Sequence, residues 1–377
     1  MTAKKFDFSL ADSQGTDIRP ILPEQFDING YQAYEAGLLE KNSRFWAGKS
    51  GVAVYRRFRV PQVFSYGCRD MEYSLGLQLA ALGESMKYKS DIANFLEPWY
   101  GIGTIAGAFG AEYIWHENQA PATKAPFASL NEALTFEYSP VEKTVIGRHI
   151  LNMVEYFMDK TKGKIPISLT DVQSPLNNAG YLLEINSLFL EMVDDPEAYQ
   201  KLLGILSDLL IDFSKRQAFM IGNALVSPGH GFASSRSFAG IGLSDDTMLM
   251  VSDDMYEENE IPFREKIGAE FGGTVFHSCG NWARKIPVVK KIKNLIMADG
   301  AFSAETDPDP NSAGPFAEGF KDTGIVLNAR IVGDVDTITQ TVKKLWSPGM
   351  RLIVVTYCRT PQEQEQAYEV IHDICGC

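Results

Sequence analysis

Short apolar segments alternate with longer amphipathic segments along most of the chain. From about residue 140, the apolar runs predict strands, and segments with apolar residues at helical spacing predict helices. The predicted strands are 166–171, 238–243, 273–276, 295–298, 324–328 and 351–357, and the predicted helices are 145–160, 195–222, 256–268, 283–293, 335–345 and 361–374. Because these strands are apolar throughout rather than alternating, the pattern is typical of a parallel sheet covered by helices.

The amino-terminal region has a different pattern. Residues 1–23 predict an irregular arm, residues 28–49 a helix and residues 52–60 a strand. The chain length and the number of strand–helix repeats favour a (β/α)8 TIM barrel with an N-terminal helical and irregular extension over a doubly wound sheet, both of class α/β. We therefore expect an arm and helix over residues 1–50, packed on a barrel over residues 51–377.

Composition limits the classes of partner. The chain has 377 residues, is 45% hydrophobic and carries a net charge of −13, which argues against nucleic acid or an anionic membrane as the main partner. Five cysteines are too few and too scattered for a disulfide scaffold. Since no segment has the pattern of a signal peptide or a membrane span, we expect a cytoplasmic protein that binds neither nucleic acid nor membrane.

Polar side chains collect just after the predicted strands, and one set of them has the character of a metal site. His277 and Cys279 stand one residue apart at a strand end, and Cys358 ends another strand. An imidazole and two thiolates brought to one point are the beginning of a zinc site with an open position, and Glu305 is a candidate for a displaceable fourth ligand. The alternatives are that both cysteines are small buried hydrophobic residues and that Glu305 is a solvated loop acid.

A second cysteine pair, Cys375 and Cys377, is a rival metal site or simply a frayed end of the chain. The sequence leaves its role open.

Three acids are candidate catalytic groups. Asp245 and Asp246 follow the same strand, so one of them can cap the next helical segment while the other points into the pocket. Asp171 is a candidate on equal terms, and Gln173 beside it is a candidate for substrate binding. Trp99 and Tyr100 stand next to glycines that permit the close approach of a flat ligand, with core packing as the alternative.

The polar segments resemble a known family. The similarity lies in residues 276–281 (FHSCGN), 297–300 (MADG), 244–247 (SDDT) and 98–101 (PWYG), and in the strand that ends at Cys358. These resemble the uroporphyrinogen decarboxylase superfamily, in particular its zinc-dependent, corrinoid-linked methyltransferase branch. The resemblance covers roughly residues 90–377, is specific mainly around 240–360, and implies a (β/α)8 barrel.

By this resemblance, His277, Cys279 and Cys358 are zinc ligands, with Glu305 as the fourth. It further implies methyl transfer between a small-molecule donor or acceptor and a corrinoid (cobalamin) carried on a partner protein. Zinc can polarise the heteroatom that carries or receives the methyl group. The aromatic residues near Trp99 favour an aromatic methyl ether as the donor, which is O-demethylation.

Two other functions stay open. One is a metal-free decarboxylase of a tetrapyrrole or another carboxylate; it is disfavoured because Arg56, Arg57 and Arg59 do not match the arginine-rich motif of that branch. The other is a non-catalytic sensor or metal-storage protein. The sequence does not determine the methyl donor, the direction of transfer or the oligomeric state.

Overall fold

A parallel sheet forms the centre of the protein. The structure is a computed structural model that describes residues 18–116 and 119–376. Its six-stranded sheet consists of β1 (Gly51–Arg56), β2 (Ile241–Ser244), β3 (Thr274–His277), β4 (Leu295–Ala301), β5 (Val326–Ile331) and β6 (Arg351–Thr356). The strand order is β1-β6-β5-β4-β3-β2, and every neighbouring pair is parallel. Helical segments connect the consecutive strands from β2 to β6, as parallel pairing requires.

The helices lie between and before these strands. They are α1 (Ile28–Ala47), α2 (Met71–Ser85), α3 (Leu130–Thr135), α4 (Val145–Thr161), α5 (Pro175–Leu182), α6 (Ile185–Asp194), α7 (Pro196–Ile221), α8 (Asp253–Asn259), α9 (Ile261–Phe271), α10 (Ile286–Val289), α11 (Ala313–Phe320), α12 (Val335–Leu345) and α13 (Pro361–Cys375). The two-residue strands Tyr113–Ile114 and Ala122–Thr123 form a separate antiparallel pair. None of the helices in the described ranges combines the length and the apolar character needed to cross a membrane.

Irregular segments form hydrogen bonds with both edges of the sheet, and at the β1 edge the amide of Asp91 donates to the carbonyl of Val54 at 2.8 Å. Leu96 and Leu225 each form a single parallel bridge with Ile167. At the β2 edge, the amide of Gly242 donates to the carbonyl of Pro228 at 3.0 Å. The predicted α/β class with a parallel sheet is confirmed, and it combines an arc of six regular strands with short bridged segments.

Most predicted elements lie within a few residues of the observed ones, and the differences have local causes. The predicted helix 256–268 is two helices, α8 and α9, because Pro262 in the first turn of α9 cannot donate a backbone hydrogen bond to α8. The predicted strand 166–171 forms one bridge at Ile167 only; further along, the amide of Thr170 donates to the side chain of Gln217 at 2.9 Å.

Helix α1 packs against the amino-terminal end of the sheet. The ring of Trp46 stacks on Phe238 with 4.3 Å between centroids, and Nη2 of Arg351 at the start of β6 donates to the carbonyl of Trp46 at 2.5 Å. Glu35 forms an ion pair with Arg236 at 2.7 Å. Helix α1 therefore lies at the end of the sheet opposite to the carboxyl ends of the strands. Residues 1–17 of the predicted arm lie outside the described residues, and the division at residue 50 stays a prediction.

Candidate metal centre

Three side chains that are suitable metal ligands meet at the carboxyl ends of β2 and β3. Asp246 follows β2, His277 is the last residue of β3, and Cys279 lies two residues further on. One ligand atom from each lies within 4.8 Å of the other two. Sγ of Cys279 is 3.4 Å from Nε2 of His277, and Oδ1 of Asp246 is 3.9 Å from the same nitrogen. A carboxylate, an imidazole and a thiol are the donors that zinc uses in proteins, so this group fits a zinc ion.

The backbone around the group explains how these side chains converge. Ser244 pairs with His277 in parallel register, and the amide of Asp245 extends the ladder by donating to the carbonyl of His277 at 2.8 Å. Beyond the strand, the amide of Cys279 donates to Oδ1 of Asp246 at 2.6 Å. Gly280 then takes a φ of +76°, which glycine adopts without strain. The carboxylate of Asp246 therefore stabilises this turn and is also one of the three potential metal ligands.

Asp299 orients the imidazole of His277. It lies opposite His277 on β4, and its Oδ2 is 2.7 Å from Nδ1 of that ring. The carboxylate of Asp299 also accepts from Nδ2 of Asn328 at 2.6 Å and from Nε of Arg330 at 3.0 Å. Because Nδ1 is bound to Asp299, Nε2 faces Cys279 and Asp246. A carboxylate behind a ligating histidine is the usual outer shell of a zinc site.

The charges around His277 favour a cation at this point. Burial lowers the pKa of His277, but Cys279 and Asp299 outweigh it and raise that pKa to about 10 in the metal-free protein. Burial raises the pKa of Asp299, whereas Arg330 and His277 lower it to about 2 overall. The anionic surroundings therefore hold a proton on His277, and a metal ion would replace that proton.

The other two predicted ligands stand outside the group. The thiol of Cys358, two residues after β6, is buried; burial raises its pKa to about 12, and Glu363 and Arg56 are the main charges that act on it. The backbone carbonyl of Cys358 accepts from Nε of Arg56 at 2.8 Å. Glu305 lies in the loop after β4 and is likewise not part of the group. Both assignments stay predictions.

Of the two cysteines near the end of the chain, the structure describes only the first, Cys375. Cys375 is buried in the core at the end of α13, and Cys377 lies outside the described residues.

Asp245 lies in a closed ionic network rather than in the metal group. Its oxygens accept from Oγ of Ser174 at 2.9 Å, from the hydroxyl of Tyr256 at 2.8 Å and from Nη1 of Arg264 at 3.2 Å. Glu260 stands 4.0 Å from the same guanidinium. Burial raises the pKa of Asp245, while Arg264, Tyr256 and Ser174 oppose that rise. These contacts favour a structural role, and the catalytic assignment of Asp245 stays a prediction.

Asp171 and Gln173 belong to a second polar cluster. Nε2 of Gln173 donates to Oδ1 of Asp171 at 2.6 Å, and Oδ2 of Asp171 is 3.4 Å from Nε2 of His230. The other ring nitrogen of His230 forms a hydrogen bond with Oε2 of Glu97. The sequence named Asp171 and Gln173 but missed Glu97 as their companion. In the sequence, His230 stands between Gly229 and Gly231, which is typical of a turn.

The second cluster and the metal group lie on the same side of the sheet. The ring of Phe232, two residues after His230, meets the ring of His277 edge-on with 6.3 Å between centroids. The hydroxyl of Tyr181 is 3.3 Å from Oε1 of Gln173. Burial is the main reason why the pKa of Tyr181 is raised, and the charges of Asp171, Asp246 and Cys279 raise this pKa further. Tyr181 is therefore near both sets of groups.

The predicted aromatic substrate contacts lie apart from the metal group. Trp99 is buried, with its ring 5.5 Å from that of Phe64. Tyr100 stacks on His149 at 3.8 Å and lines a cavity of about 510 Å³ together with Tyr113 and Trp115. The metal group does not line this cavity. A substrate-binding role for Trp99 and Tyr100 stays a prediction.

Comparison with known proteins agrees with this fold. Residues 53–228 match the family model of uroporphyrinogen decarboxylase (URO-D). The match thus begins before the segment that carries the sequence resemblance and ends before the metal group. Comparison with curated protein sequences gives no match.

A methyltransferase from Methanosarcina mazei has a similar solved structure. The similarity covers 89% of this chain and 98% of that one, with 16% identity and a TM-score of 0.63. At this identity it shows a shared fold. The predicted resemblance to the uroporphyrinogen decarboxylase family is supported over residues 53–228 by the family model, and the predicted fold is supported by this solved structure.

Proposed function

We propose that the protein is a zinc-dependent methyltransferase, which moves a methyl group between a small substrate and a corrinoid carried on a partner protein. The observation that carries this proposal is the convergence of Asp246, His277 and Cys279, with His277 oriented by Asp299. The match of residues 53–228 to the uroporphyrinogen decarboxylase family model and the fold shared with a methyltransferase from Methanosarcina mazei support it.

Each residue has a defined part in this proposal. Asp246, His277 and Cys279 would hold zinc, which supplies a Lewis acid for the heteroatom that carries the methyl group. Asp299 keeps Nε2 of His277 directed at the site. The side chain of Asp246 is 46% exposed and Cys279 is exposed, so a substrate can reach the group from solvent.

The substrate assignment follows the sequence prediction. We propose an aromatic methyl ether as the donor and a cobalt(I) corrinoid as the acceptor. The cobalt takes the methyl group as a co-substrate, and the partner protein presents it at the carboxyl ends of the strands. The position of the metal group at that face supports this route of approach.

The proposal is tested by metal content and turnover together. Purified protein is assayed for zinc and then mixed with reduced free corrinoid and a panel of methoxy-aromatics, methylamines, methanol and thiols, while the cobalt spectrum is followed. We expect near-stoichiometric zinc and formation of methyl-cobalt, and loss of both in His277→Ala.

A matched control for this experiment is His372→Gln. His372 also pairs with a carboxylate, Asp91, at 2.9 Å, but on α13. The control should keep both zinc and turnover. Absence of zinc from the unmutated protein would end the proposal.

A metal-free decarboxylase is the second candidate. The observation that bears on it is that two cationic side chains lie near the buried carboxylate of Glu97: burial raises the pKa of Glu97, but His230, Arg57 and Arg59 lower it below its ordinary value. Decarboxylation of a tetrapyrrole or another carboxylate that survives Cys279→Ala would favour this function over methyl transfer.

A further inference from the structure

Arg330 is a cation at the carboxyl end of β5, close to the metal group. It is the last residue but one of β5, and His277 is the last residue of β3. Nε of Arg330 donates to Oδ2 of Asp299 at 3.0 Å, and the same oxygen is 2.7 Å from Nδ1 of His277. The guanidinium and the imidazole of a potential metal ligand therefore contact one oxygen atom.

The side chain of Arg330 lies on the face of the sheet that carries these groups. Residues two apart in a strand share a face, and Asn328, two residues earlier in β5, also donates to Asp299 at 2.6 Å. The side chain of Arg330 is 14% exposed, whereas that of Asp299 is 2% exposed. Part of the cation is therefore open to solvent, while the carboxylate that holds it is closed off.

The hydrogen bonds of Arg330 differ from those of arginines that only join parts of the fold. Four other buried or partly buried arginines donate through both Nη1 and Nη2 to carbonyls or carboxylates of the protein: Arg56, Arg236, Arg264 and Arg351. Within the described residues, Arg330 forms hydrogen bonds through Nε alone, and its buried Nη2 has no partner. Such a buried donor is costly, and native proteins keep few of them. The arrangement indicates a partner that the fold does not supply.

The charges around Arg330 favour an anion as that partner. Burial lowers the pKa of Arg330, but Asp299, Tyr357 and Cys279 outweigh burial and raise it overall, so the guanidinium is charged. Asp299 shares its negative charge between Arg330 and His277. Arg57 acts on Arg330 with a like charge. An anion bound at Arg330 would offset this repulsion.

We propose that Arg330 selects methyl donors that carry a carboxylate, by binding that carboxylate through its Nη groups at the end of the donor away from the methoxy group. This inference rests on the proposed function and specifies its substrate class. The planar guanidinium matches a carboxylate with two parallel hydrogen bonds. An aromatic ring is a rigid spacer between the two ends of the donor, so the substrates are methoxy-substituted aromatic acids.

The test compares the binding of an acid with that of its uncharged amide, without corrinoid or turnover. Isothermal titration calorimetry measures the affinity of the ortho, meta and para forms of methoxybenzoate and of methoxybenzamide. Since a hydrogen-bonded charge pair replaces a neutral contact, we expect the wild type to bind the best acid about 10- to 100-fold more tightly than its amide. Arg330→Gln should bind acid and amide equally.

Two further variants separate charge recognition from a general disturbance of the fold. Arg351→Gln, the matched control, alters a strand arginine at the amino-terminal end of β6 and should keep the full preference for the acid. Arg330→Lys keeps a positive charge without the paired Nη groups, so its preference should lie between those of the wild type and Arg330→Gln. Comparing acid with amide inside each variant removes any effect that acts on both ligands through Asp299.

The outcomes distinguish this inference from the proposed function. Equal affinity of the wild type for acid and amide, or a preference that survives unchanged in Arg330→Gln, would overturn the role of Arg330 even if neutral ethers form methyl-cobalt. If the wild type prefers the acids in an Arg330-dependent way but forms no methyl-cobalt from any donor with reduced corrinoid, the proposed function fails and the carboxylate site remains.

Discussion

Asp245 and Asp246 are adjacent in the chain but belong to opposite environments. Asp245 is fully buried, and Arg264, Tyr256 and Ser174 occupy its oxygens. The side chain of Asp246 is 46% exposed and stands with two other metal-ligand types. The first region is a closed network in which every partner is supplied by the protein. The second is open and can take a partner from solution.

The difference shows that residue type and position at a strand end do not define a function. Asp245 and Asp246 are consecutive residues at the point where β2 ends, so the chain directs their side chains to different sides. Removing one partner of a buried ion pair strongly destabilises the fold. An exposed metal ligand contributes through the ion that it binds. Substitutions at these and neighbouring residues, together with one zinc titration, test this contrast.

The largest effect on stability is expected at Asp245. Asp245→Ala removes the closer of the two carboxylates that face the buried guanidinium of Arg264 and leaves only Glu260 at 4.0 Å, so the free energy of unfolding should fall by about 3–5 kcal/mol. Asp246→Ala removes the hydrogen bond from the amide of Cys279, so in metal-free protein it should lower the free energy of unfolding by only about 0.5–1.5 kcal/mol. Urea unfolding of both variants measures the difference. Equal losses would show that the two environments do not differ as described.

The next effect concerns the residue behind the metal group. Asp299→Asn keeps the shape of the side chain but weakens the contact with Nδ1 of His277, so zinc affinity should fall by about 10- to 100-fold. Competition with a coloured chelator measures the affinity. An unchanged affinity would mean that Asp299 does not orient His277 for a metal.

Zinc affinity should also depend on pH in a defined direction. The pKa of His277 is raised to about 10 in metal-free protein, so below that pH a bound proton must leave before the metal enters. Affinity should therefore rise with pH up to about 10 and fall as the solution is acidified. Titration of zinc at several pH values in metal-free buffers checks the sign. In His277→Ala, the part of the pH dependence of zinc affinity that comes from this imidazole should be absent.

The smallest effect is expected at Glu305. It stands outside the metal group, so Glu305→Gln should leave zinc content unchanged. Elemental analysis of the variant beside the wild type is sufficient. A clear loss of zinc would return Glu305 to the ligand set that the sequence predicted.

The sequence predicted the parts of the fold that depend on local pattern. Helix α12 spans Val335–Leu345 as predicted, because Asp334 caps it and its apolar residues follow a clear stripe. The buried helix α2 was missed, since apolar residues surround it and leave no stripe. The sequence also placed His277 and Cys279 together, because both follow one strand.

Tertiary features of the site were beyond the sequence. The contact between His277 and Asp299 depends on the order and register of β3 and β4, which no local pattern contains. Cys358 was expected to join the ligands because it ends a strand, but the direction of its thiol depends on the core around it. His230 and its two partners, Glu97 and Asp171, come from three separate segments of the chain.

Anomalous diffraction at the zinc edge from crystals of the zinc-loaded protein tests the central claim most directly. The account predicts one peak per chain, within about 2.0–2.3 Å of Nε2 of His277, Sγ of Cys279 and a carboxylate oxygen of Asp246. A peak at another place in the fold, or no peak at these three side chains, would contradict it.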